Sequence, residues 1–126
     1  MGEYYKSYTV KGNKLGRTIG SPTLNVFIDL PLDFSFGVYV FDVLLYSKHY
    51  FAVGTYGYRK SVDNKLSLEV HLLDGNFLEN ELYFEKIAVR PVKFLREVSA
   101  FKNIDALKEQ IQIDKINAIN YVNTIT

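Results

Sequence analysis

The sequence predicts a small antiparallel β-barrel followed by one C-terminal α-helix. Most of the chain consists of short β-branched and aromatic runs separated by Gly, Pro, Asn and Asp, which is typical of strands joined by turns. After Asn103 the spacing of apolar residues changes to that of a helix. About six strands and one terminal helix favour a barrel on which the helix packs.

The first half of the chain contains the first predicted strands. They cover Tyr4–Val10, the alternating segment Leu24–Ile28, Val38–Tyr46 and His49–Tyr56. Each run is rich in β-branched and aromatic residues, which pack well on a pleated surface. Ser47-Lys48 separates the last two runs and predicts a tight hairpin turn.

Two further strands are predicted in the second half. Leu66–Leu72 alternates cleanly, so that one face is apolar and the other carries Glu69 and His71. The segment Leu82–Phe94 predicts another strand region, bent or interrupted near Pro91 because proline cannot donate to a strand ladder.

The terminal helix has a recognisable start. Asn103 is suited to the N-cap position, and Asp105 lies in the first turn, where the helix dipole favours a negative charge. The apolar positions that predict its buried stripe are Ile104, Leu107, Ile111 and Ala118.

Length and composition predict one domain, residues 1–126, with a core large enough to need no disulfide. The absence of Cys excludes thiolate metal sites. Lys and Arg number 15 and Asp and Glu 14, which gives a formal net charge of +1, so neither nucleic acid nor a membrane is an expected partner. There is no signal-peptide pattern and no apolar run of about 20 residues, so the expected location is cytoplasmic.

The segment Gly16–Asn25 predicts a binding loop. It places two glycines, a cation and short oxygen-bearing side chains between apolar runs, and glycine allows a ligand to approach the main chain closely. Thr23 and Asn25 are two residues apart on an emerging strand, so their side chains point to the same side. Four cations and no acid occur between Tyr4 and Ile28, which favours an anionic ligand. An ordinary Gly/Pro turn and a solvated basic face remain alternatives.

Glu69 is the strongest candidate for a catalytic acid or base. It is flanked by apolar residues on a strand, where partial burial would raise the carboxyl pKa toward that of a useful general base. An outward-facing strand Glu without function is the alternative. His49 and His71 have no carboxylate at metal-ligand spacing, so a zinc site is not expected. The glycine spacing matches neither a P-loop nor a dinucleotide fingerprint, and the chain offers no candidate nucleophile.

A series of short motifs extends from about Tyr8 to Ala118. They are Gly16-Arg17-x-Ile19-Gly20-x-Pro22-Thr23-x-Asn25, Gly37-Val38-Tyr39, Leu68-Glu69-Val70-His71-Leu72-Leu73-Asp74, Leu82-Tyr83, Leu95-Arg96-Glu97 with Phe101, and Leu107 with Gln110-Ile111-x-x-Asp114. This series resembles that of the riboflavin kinases, including the kinase half of the bacterial bifunctional riboflavin kinase/FAD synthetases. The Pro-Thr-x-Asn signature is its most specific part.

The resemblance implies a six-stranded antiparallel Greek-key barrel with a C-terminal helix. It implies an enzyme, a riboflavin kinase, that transfers the γ-phosphate of ATP to the ribityl 5′-hydroxyl of riboflavin and forms FMN. Thr23 and Asn25 then help to hold Mg²⁺ or another divalent cation, and Glu69 is the general base. Hydroxyl and amide oxygens suit Mg²⁺, and phosphoryl transfer depends mainly on positioning and charge neutralisation.

The resemblance also implies where the two substrates bind. The nucleotide is expected along the glycine-bearing loop, whose amides and cations would neutralise phosphate charge. Its expected contacts are Gly12, Lys14, Gly16, Arg17, Gly20, Pro22 and Thr23. The flavin is expected near the start of the terminal helix, with contacts from Leu82, Tyr83, Arg96 and Leu107.

The chain has no room for an adenylyltransferase half and lacks the nucleotidyl-transfer signature, so it is not expected to make FAD. It is expected to be a monomer or part of a longer bifunctional chain. Lys14, Ser21, Lys60-Ser61 and Phe84 depart from the family pattern. The departures at Lys14, Ser21 and Lys60-Ser61 keep open a flavin-binding or regulatory module that turns nothing over. Ten Tyr and nine Phe keep open an oligonucleotide-binding barrel, although the near-neutral charge argues against it.

Overall fold

The chain folds into a barrel of strands followed by one long helix. The computed structural model describes residues 2–10, 23–29, 31–59, 63–74 and 84–126. Within these ranges the elements are β1 (Tyr5–Val10), β2 (Thr23–Val26), β3 (Gly37–Leu45), β4 (Lys48–Tyr58), β5 (Leu66–Leu72), β6 (Lys86–Arg96) and α1 (Ile104–Ile125). The prediction for β5 is confirmed at both ends.

The six strands close into a barrel in the order β1-β2-β5-β4-β3-β6. Every pair of neighbours is antiparallel. Because β3, β4 and β5 are successive neighbours and β6 returns beside β3, the arrangement is a Greek key. The predicted antiparallel Greek-key barrel with a C-terminal helix is therefore confirmed.

The inside of the barrel is the main hydrophobic core. Alternate residues of each strand point inward, and Phe41 of β3 and Tyr56 of β4 are among the largest side chains that are fully buried. Leu24 of β2 and Val70 of β5 belong to the same cluster. Burying one such side chain stabilises the fold by about 1.5–3 kcal/mol. The residues between these core positions face the outside of the barrel, where polar side chains can reach solvent or a ligand unless the helix covers them.

The hairpin between β3 and β4 turns one residue earlier than predicted. The prediction of Ser47-Lys48 is wrong, because Lys48 pairs with Leu45 and the turn residues are Tyr46 and Ser47. Their φ values are 52° and 61°, and a two-residue hairpin loop of type I′ requires φ above zero at both positions. The register follows from the inward burial of Leu45, which turn propensity alone does not report.

Strand β6 begins later than the predicted start at Leu82. Residues 75–83 lie outside the described ranges, and Phe84 has a left-handed φ of 59°, which a strand cannot accommodate. The Phe84 amide donates to the Thr9 carbonyl over 2.8 Å, which holds the chain against β1 just before β6 begins at Lys86.

The predicted irregularity near Pro91 is present, and it bends β6 without interrupting it. Phe41 of β3 pairs with Pro91, but the adjacent Val40 pairs with Lys93. The strand therefore carries one extra residue, Val92, at this point, and such a bulge bends a strand locally.

Helix α1 packs on the outside of the barrel. Its buried Ala118 belongs to a second apolar cluster with Val40 of β3 and Val53 of β4. The predicted N-cap is confirmed: the Asn103 side chain accepts a hydrogen bond from the Ala106 amide over 2.9 Å. No helix in the described part of the chain combines the length and the apolar character that a membrane span requires.

The apolar stripe predicted for α1 is only partly buried. Ala118 is fully buried, whereas Ile104 is exposed. Asp114 is also buried. Its carboxylate accepts two hydrogen bonds from the Arg96 guanidinium of β6, at 2.8 and 2.7 Å, which offset the cost of burying its charge. This pair ties the end of the last strand to the middle of the helix.

Candidate active site

The neighbouring strands β2 and β5 bring four polar side chains together on the outside of the barrel. Asn25 is the register partner of Glu69, and Thr23 is the register partner of His71. Directly opposite residues of an antiparallel pair point to the same face. The residues between them, such as Leu24, belong to the core. The two strands therefore place a hydroxyl, an amide, a carboxylate and an imidazole side by side.

Glu69 is the carboxylate of this group, and its side chain is 23% exposed. Burial raises the pKa of the Glu69 carboxyl above its ordinary value. The Arg59 guanidinium, with Nη1 at 3.7 Å from Glu69 Oε1, opposes this rise without cancelling it. The direction agrees with the one that the strand pattern predicted, and a more basic carboxylate is a better proton acceptor.

Arg59 is a member of the site that the sequence analysis missed. It follows β4 directly, and Asp63 holds it in place through two hydrogen bonds, Nε to Oδ1 at 3.1 Å and Nη2 to Oδ2 at 2.7 Å. Asp63 also accepts a hydrogen bond from the Lys65 amide. The spacing of four residues between Arg59 and Asp63 was a signal for this pair, but nothing local pointed from it to Glu69.

Thr23 and His71 are linked by a hydrogen bond. The distance from Thr23 Oγ1 to His71 Nδ1 is 3.2 Å. His71 is only 9% exposed. Burial, assisted by the positive charge of Lys115 and opposed by Asp114, lowers the pKa of its imidazole from 6.5 to about 4. The imidazole is therefore neutral at physiological pH.

The donor set of this face fits a hard divalent cation. Mg²⁺ prefers oxygen ligands and keeps several waters, so it needs few protein ligands. The Thr23 hydroxyl and the Asn25 amide offer oxygen atoms of this kind, and the Glu69 carboxylate lies opposite Asn25 in the ladder. Strand positions of a closed barrel hold these groups more rigidly than loop positions would.

Of the residues predicted to contact flavin, the described ones are Arg96 and Leu107. Besides its two bonds to Asp114, the Arg96 guanidinium donates to the Glu97 carbonyl over 2.9 Å. Its carbon lies 6.0 Å from the centre of the Phe101 ring. These contacts occupy the guanidinium in fixing α1. Leu107 is partly buried on the first half of α1, and both flavin assignments stay predictions.

The other predicted substrate contacts lie outside the described residues. They are Gly12, Lys14, Gly16, Arg17, Gly20 and Pro22 for the nucleotide, and Leu82 and Tyr83 for the flavin.

A family profile identifies the class of this domain. The profile described as "Flavokinase: Riboflavin kinase" matches residues 3–122, which is almost the whole barrel and helix. The chain belongs to the riboflavin kinase family, as the series of sequence motifs implied.

Curated relatives support this assignment. A bifunctional riboflavin kinase/FMN adenylyltransferase of Escherichia coli (strain K12) is 40% identical over 111 residues, which are 86% of this chain and 34% of the relative. The protein of the same name from Haemophilus influenzae is 34% identical over 98% of this chain and 41% of its own length. The "Trifunctional protein RibF/MnmA" of Mycoplasmoides gallisepticum is 33% identical over 94% and 18%, respectively. The chain thus spans between 18% and 41% of the length of these relatives.

One similar solved structure is of a protein whose name differs from those of the curated relatives. It is the "Macrolide-efflux Protein from Streptococcus pneumoniae", with a TM-score of 0.78 and 30% sequence identity. The match covers 93% of this chain and 38% of that protein. The same barrel therefore occurs there as one part of a longer chain.

Proposed function

We propose that this chain phosphorylates riboflavin at the ribityl 5′-hydroxyl with ATP and produces FMN. The observation that carries this proposal is the pairing of Glu69 with Asn25 in one strand ladder, with Thr23 on the same face. Family membership supports the substrates, and the geometry supports the roles of the side chains.

Glu69 is the proposed general base. It accepts the proton of the ribityl hydroxyl as the hydroxyl oxygen attacks the γ-phosphorus, so that the new O–P bond forms as the bond to ADP breaks. Its partial burial raises the affinity of the carboxylate for this proton. Arg59, at 3.7 Å, favours the ionised form of the carboxylate and adds a positive charge near the transferring group.

Thr23 and Asn25 are the proposed ligands of Mg²⁺ or another divalent cation. When bound, the cation neutralises charge on the phosphate oxygens. The contribution of the two side chains is to present a hydroxyl and an amide oxygen in a fixed register. The proposed phosphate contacts of the Gly12–Pro22 segment and the flavin contacts of Leu82, Tyr83, Arg96 and Leu107 rest on the resemblance to the family.

We propose riboflavin and ATP as the small-molecule partners and the cytoplasm as the site of action, because ATP is available there. The names of two relatives combine the kinase with FMN adenylyltransferase. The proposal for this chain concerns the kinase step alone, which its matched residues 3–122 carry.

The test is to incubate the chain with riboflavin, ATP and Mg²⁺ and to separate FMN by chromatography. Glu69→Gln is expected to lower turnover by about 10²–10⁴-fold while riboflavin binding, followed by flavin fluorescence, is retained. Glu97→Gln is the matched control, because the Glu97 side chain is exposed and the substitution keeps the main-chain carbonyl to which the Arg96 guanidinium donates. Normal turnover in Glu69→Gln would refute the assignment of the base.

A second candidate is a flavin-binding module without turnover. Phe84 favours it, because this residue takes a left-handed φ of 59° where the family pattern has glycine. Phe84 directly follows the segment predicted to contact the flavin. Binding of riboflavin without any FMN formation by the wild-type chain would support this candidate over the kinase.

A further inference from the structure

We infer that His71 is a positioning residue that orients the Thr23 hydroxyl toward the divalent cation. The inference rests on the proposed function, because it assigns His71 a part in the cation site of the kinase. His71 would contact neither substrate and would act only through Thr23.

The geometry between the two side chains is fixed by the backbone. Thr23 and His71 are register partners in the β2–β5 ladder, and their Oγ1 and Nδ1 atoms are 3.2 Å apart. The next pair on the same face of this ladder is Asn25 and Glu69. The imidazole therefore lies directly beside the set of oxygen ligands, and it reaches one of them.

The chemistry of a hydroxyl ligand explains why this contact matters. A threonine hydroxyl has one proton to donate and two lone pairs. An oxygen that binds a cation through its lone pairs is best oriented when its proton is given to an acceptor on the other side. His71 Nδ1 is such an acceptor in the tautomer that carries its proton on Nε2. Residues behind the ligands of a metal site commonly fix the ligand orientation in this way.

The imidazole is held where it can perform this role. The ring is buried, and Asp114 and Lys115 of α1 act on it electrostatically, so it faces the helix. The helix is in turn tied to β6 by the Arg96–Asp114 pair. The Thr23 hydroxyl is thus oriented by a side chain that packing has already immobilised.

His49 provides an internal contrast. Its imidazole is also hydrogen-bonded, with Nε2 at 2.8 Å from Asp42 Oδ1, but its side chain is 45% exposed. It lies at the start of β4 and pairs with Leu44 of β3. A substitution at His49 is therefore a matched control for the loss of a hydrogen-bonded histidine outside the site.

The experiment compares His71→Asn with His71→Gln. The shorter amide can present an acceptor near the position of Nδ1, whereas the longer amide places its polar atoms near Nε2. The readout is binding of Mn²⁺ in the presence of ADP, followed by the electron paramagnetic resonance signal of free Mn²⁺. We expect His71→Gln to weaken Mn²⁺ binding by about 10- to 100-fold. His71→Asn and His49→Gln are expected to stay close to wild type.

A double-mutant cycle with Thr23→Val tests the route of the effect. If His71 acts through Thr23, His71→Gln is expected to add nothing once the Thr23 hydroxyl is absent. A general effect on folding would persist in the Thr23→Val background. It would also weaken riboflavin binding, which is expected to be unchanged.

Nitrogen-15 NMR of the wild-type imidazole gives a readout that needs no variant. A proton on Nε2 and a free lone pair on Nδ1 are expected, and a proton on Nδ1 would overturn the inference. Equal Mn²⁺ affinities of the Asn and Gln variants, or no Mn²⁺ binding to the wild-type chain with ADP, would also overturn it. Failure of the wild-type chain to form FMN would instead refute the proposed function, whatever the Mn²⁺ result.

Discussion

Two polar clusters on the outside of the barrel each contain one carboxylate, one arginine and one histidine, but their geometry differs. The Glu69 cluster contains Glu69, Arg59 and His71, and the Asp42 cluster contains Asp42, Arg90 and His49. In the Asp42 cluster both carboxylate oxygens are paired, at 2.5 Å with Arg90 and 2.8 Å with His49. In the Glu69 cluster the arginine stays 3.7 Å from the carboxylate.

The two carboxylates respond in opposite directions. Burial acts to raise the pKa of Asp42, but its hydrogen bonds from Arg90 and His49 outweigh burial and leave that pKa below its usual value. Burial raises the pKa of Glu69, and its more distant arginine partner does not cancel this rise. A fully paired carboxylate stabilises the fold, whereas an incompletely paired one retains the capacity to take up a proton.

The largest expected difference between the clusters is in activity. Glu69→Gln is expected to lower kcat by about 10²–10⁴-fold, because it removes the proposed base. Asp42→Asn is expected to leave kcat within about twofold, because Asp42 is hydrogen-bonded to His49 and Arg90, which have no proposed part in the reaction. Steady-state FMN formation measures both, and a large loss in Asp42→Asn would remove the functional distinction between the clusters.

His71 is expected to make the stability of the fold depend on pH. His71 has an ordinary pKa of 6.5 when unfolded and about 4 when folded, so the unfolded chain binds its proton first on acidification. The contribution of His71 to stability is therefore complete above pH 6.5 and is lost as the pH falls through 4. The loss amounts to about 3 kcal/mol.

Urea unfolding of wild type and His71→Phe between about pH 7 and about pH 4 measures this contribution. The variant is expected to show a flatter pH dependence than wild type. His49→Phe is the control and is expected to keep the wild-type slope from His71. Identical pH profiles for His71→Phe and wild type would show that the imidazole is not buried in its neutral form.

The two carboxylate substitutions are expected to affect stability in the opposite order to their effects on activity. Asp42→Asn is expected to lower the free energy of unfolding by about 2 kcal/mol, because charged hydrogen bonds are lost and the resolvation of the partly exposed Arg90 and His49 offsets only part of that loss. Glu69→Gln is expected to leave that free energy unchanged or to raise it, because a poorly solvated charge is removed. Chemical denaturation at neutral pH compares the two variants.

The smallest expected effect concerns the arginines. Arg59 lowers the pKa of Glu69, so Arg59→Gln is expected to raise that pKa further and to move the acidic limb of the kcat/KM profile to higher pH. Arg90→Gln should leave the limb in place. A limb that stays fixed in Arg59→Gln would separate Arg59 from the titration of the base.

Most of the fold could be predicted from local patterns. The alternation of Leu66–Leu72 defined β5, and Asn103 marked the start of α1, because burial on one face and capping are encoded within a few residues. The turn at Tyr46-Ser47 and the late start of β6 could not be predicted, since register and the left-handed Phe84 depend on pairing with distant strands.

The candidate site, like the fold, was predictable only in part from the sequence. The residue pattern singled out Thr23, Asn25 and Glu69, the resemblance predicted their roles, and the strand pairing that faces Asn25 with Glu69 agrees with those proposed roles. The contacts of Arg59 with Glu69 and of His71 with Thr23 were not predicted. They join residues 10 and 48 positions apart, and no local period reports such a contact.

The ladder between β2 and β5 links catalysis to correct folding. Strand β2 has only four residues, and a slip of one position would turn Thr23 and Asn25 into the core and Leu24 out of it. A misaligned barrel would then lose its proposed oxygen ligands and its apolar packing together. If the proposed roles of Thr23 and Asn25 are correct, FMN formation therefore also reports that β2 and β5 have paired in this register.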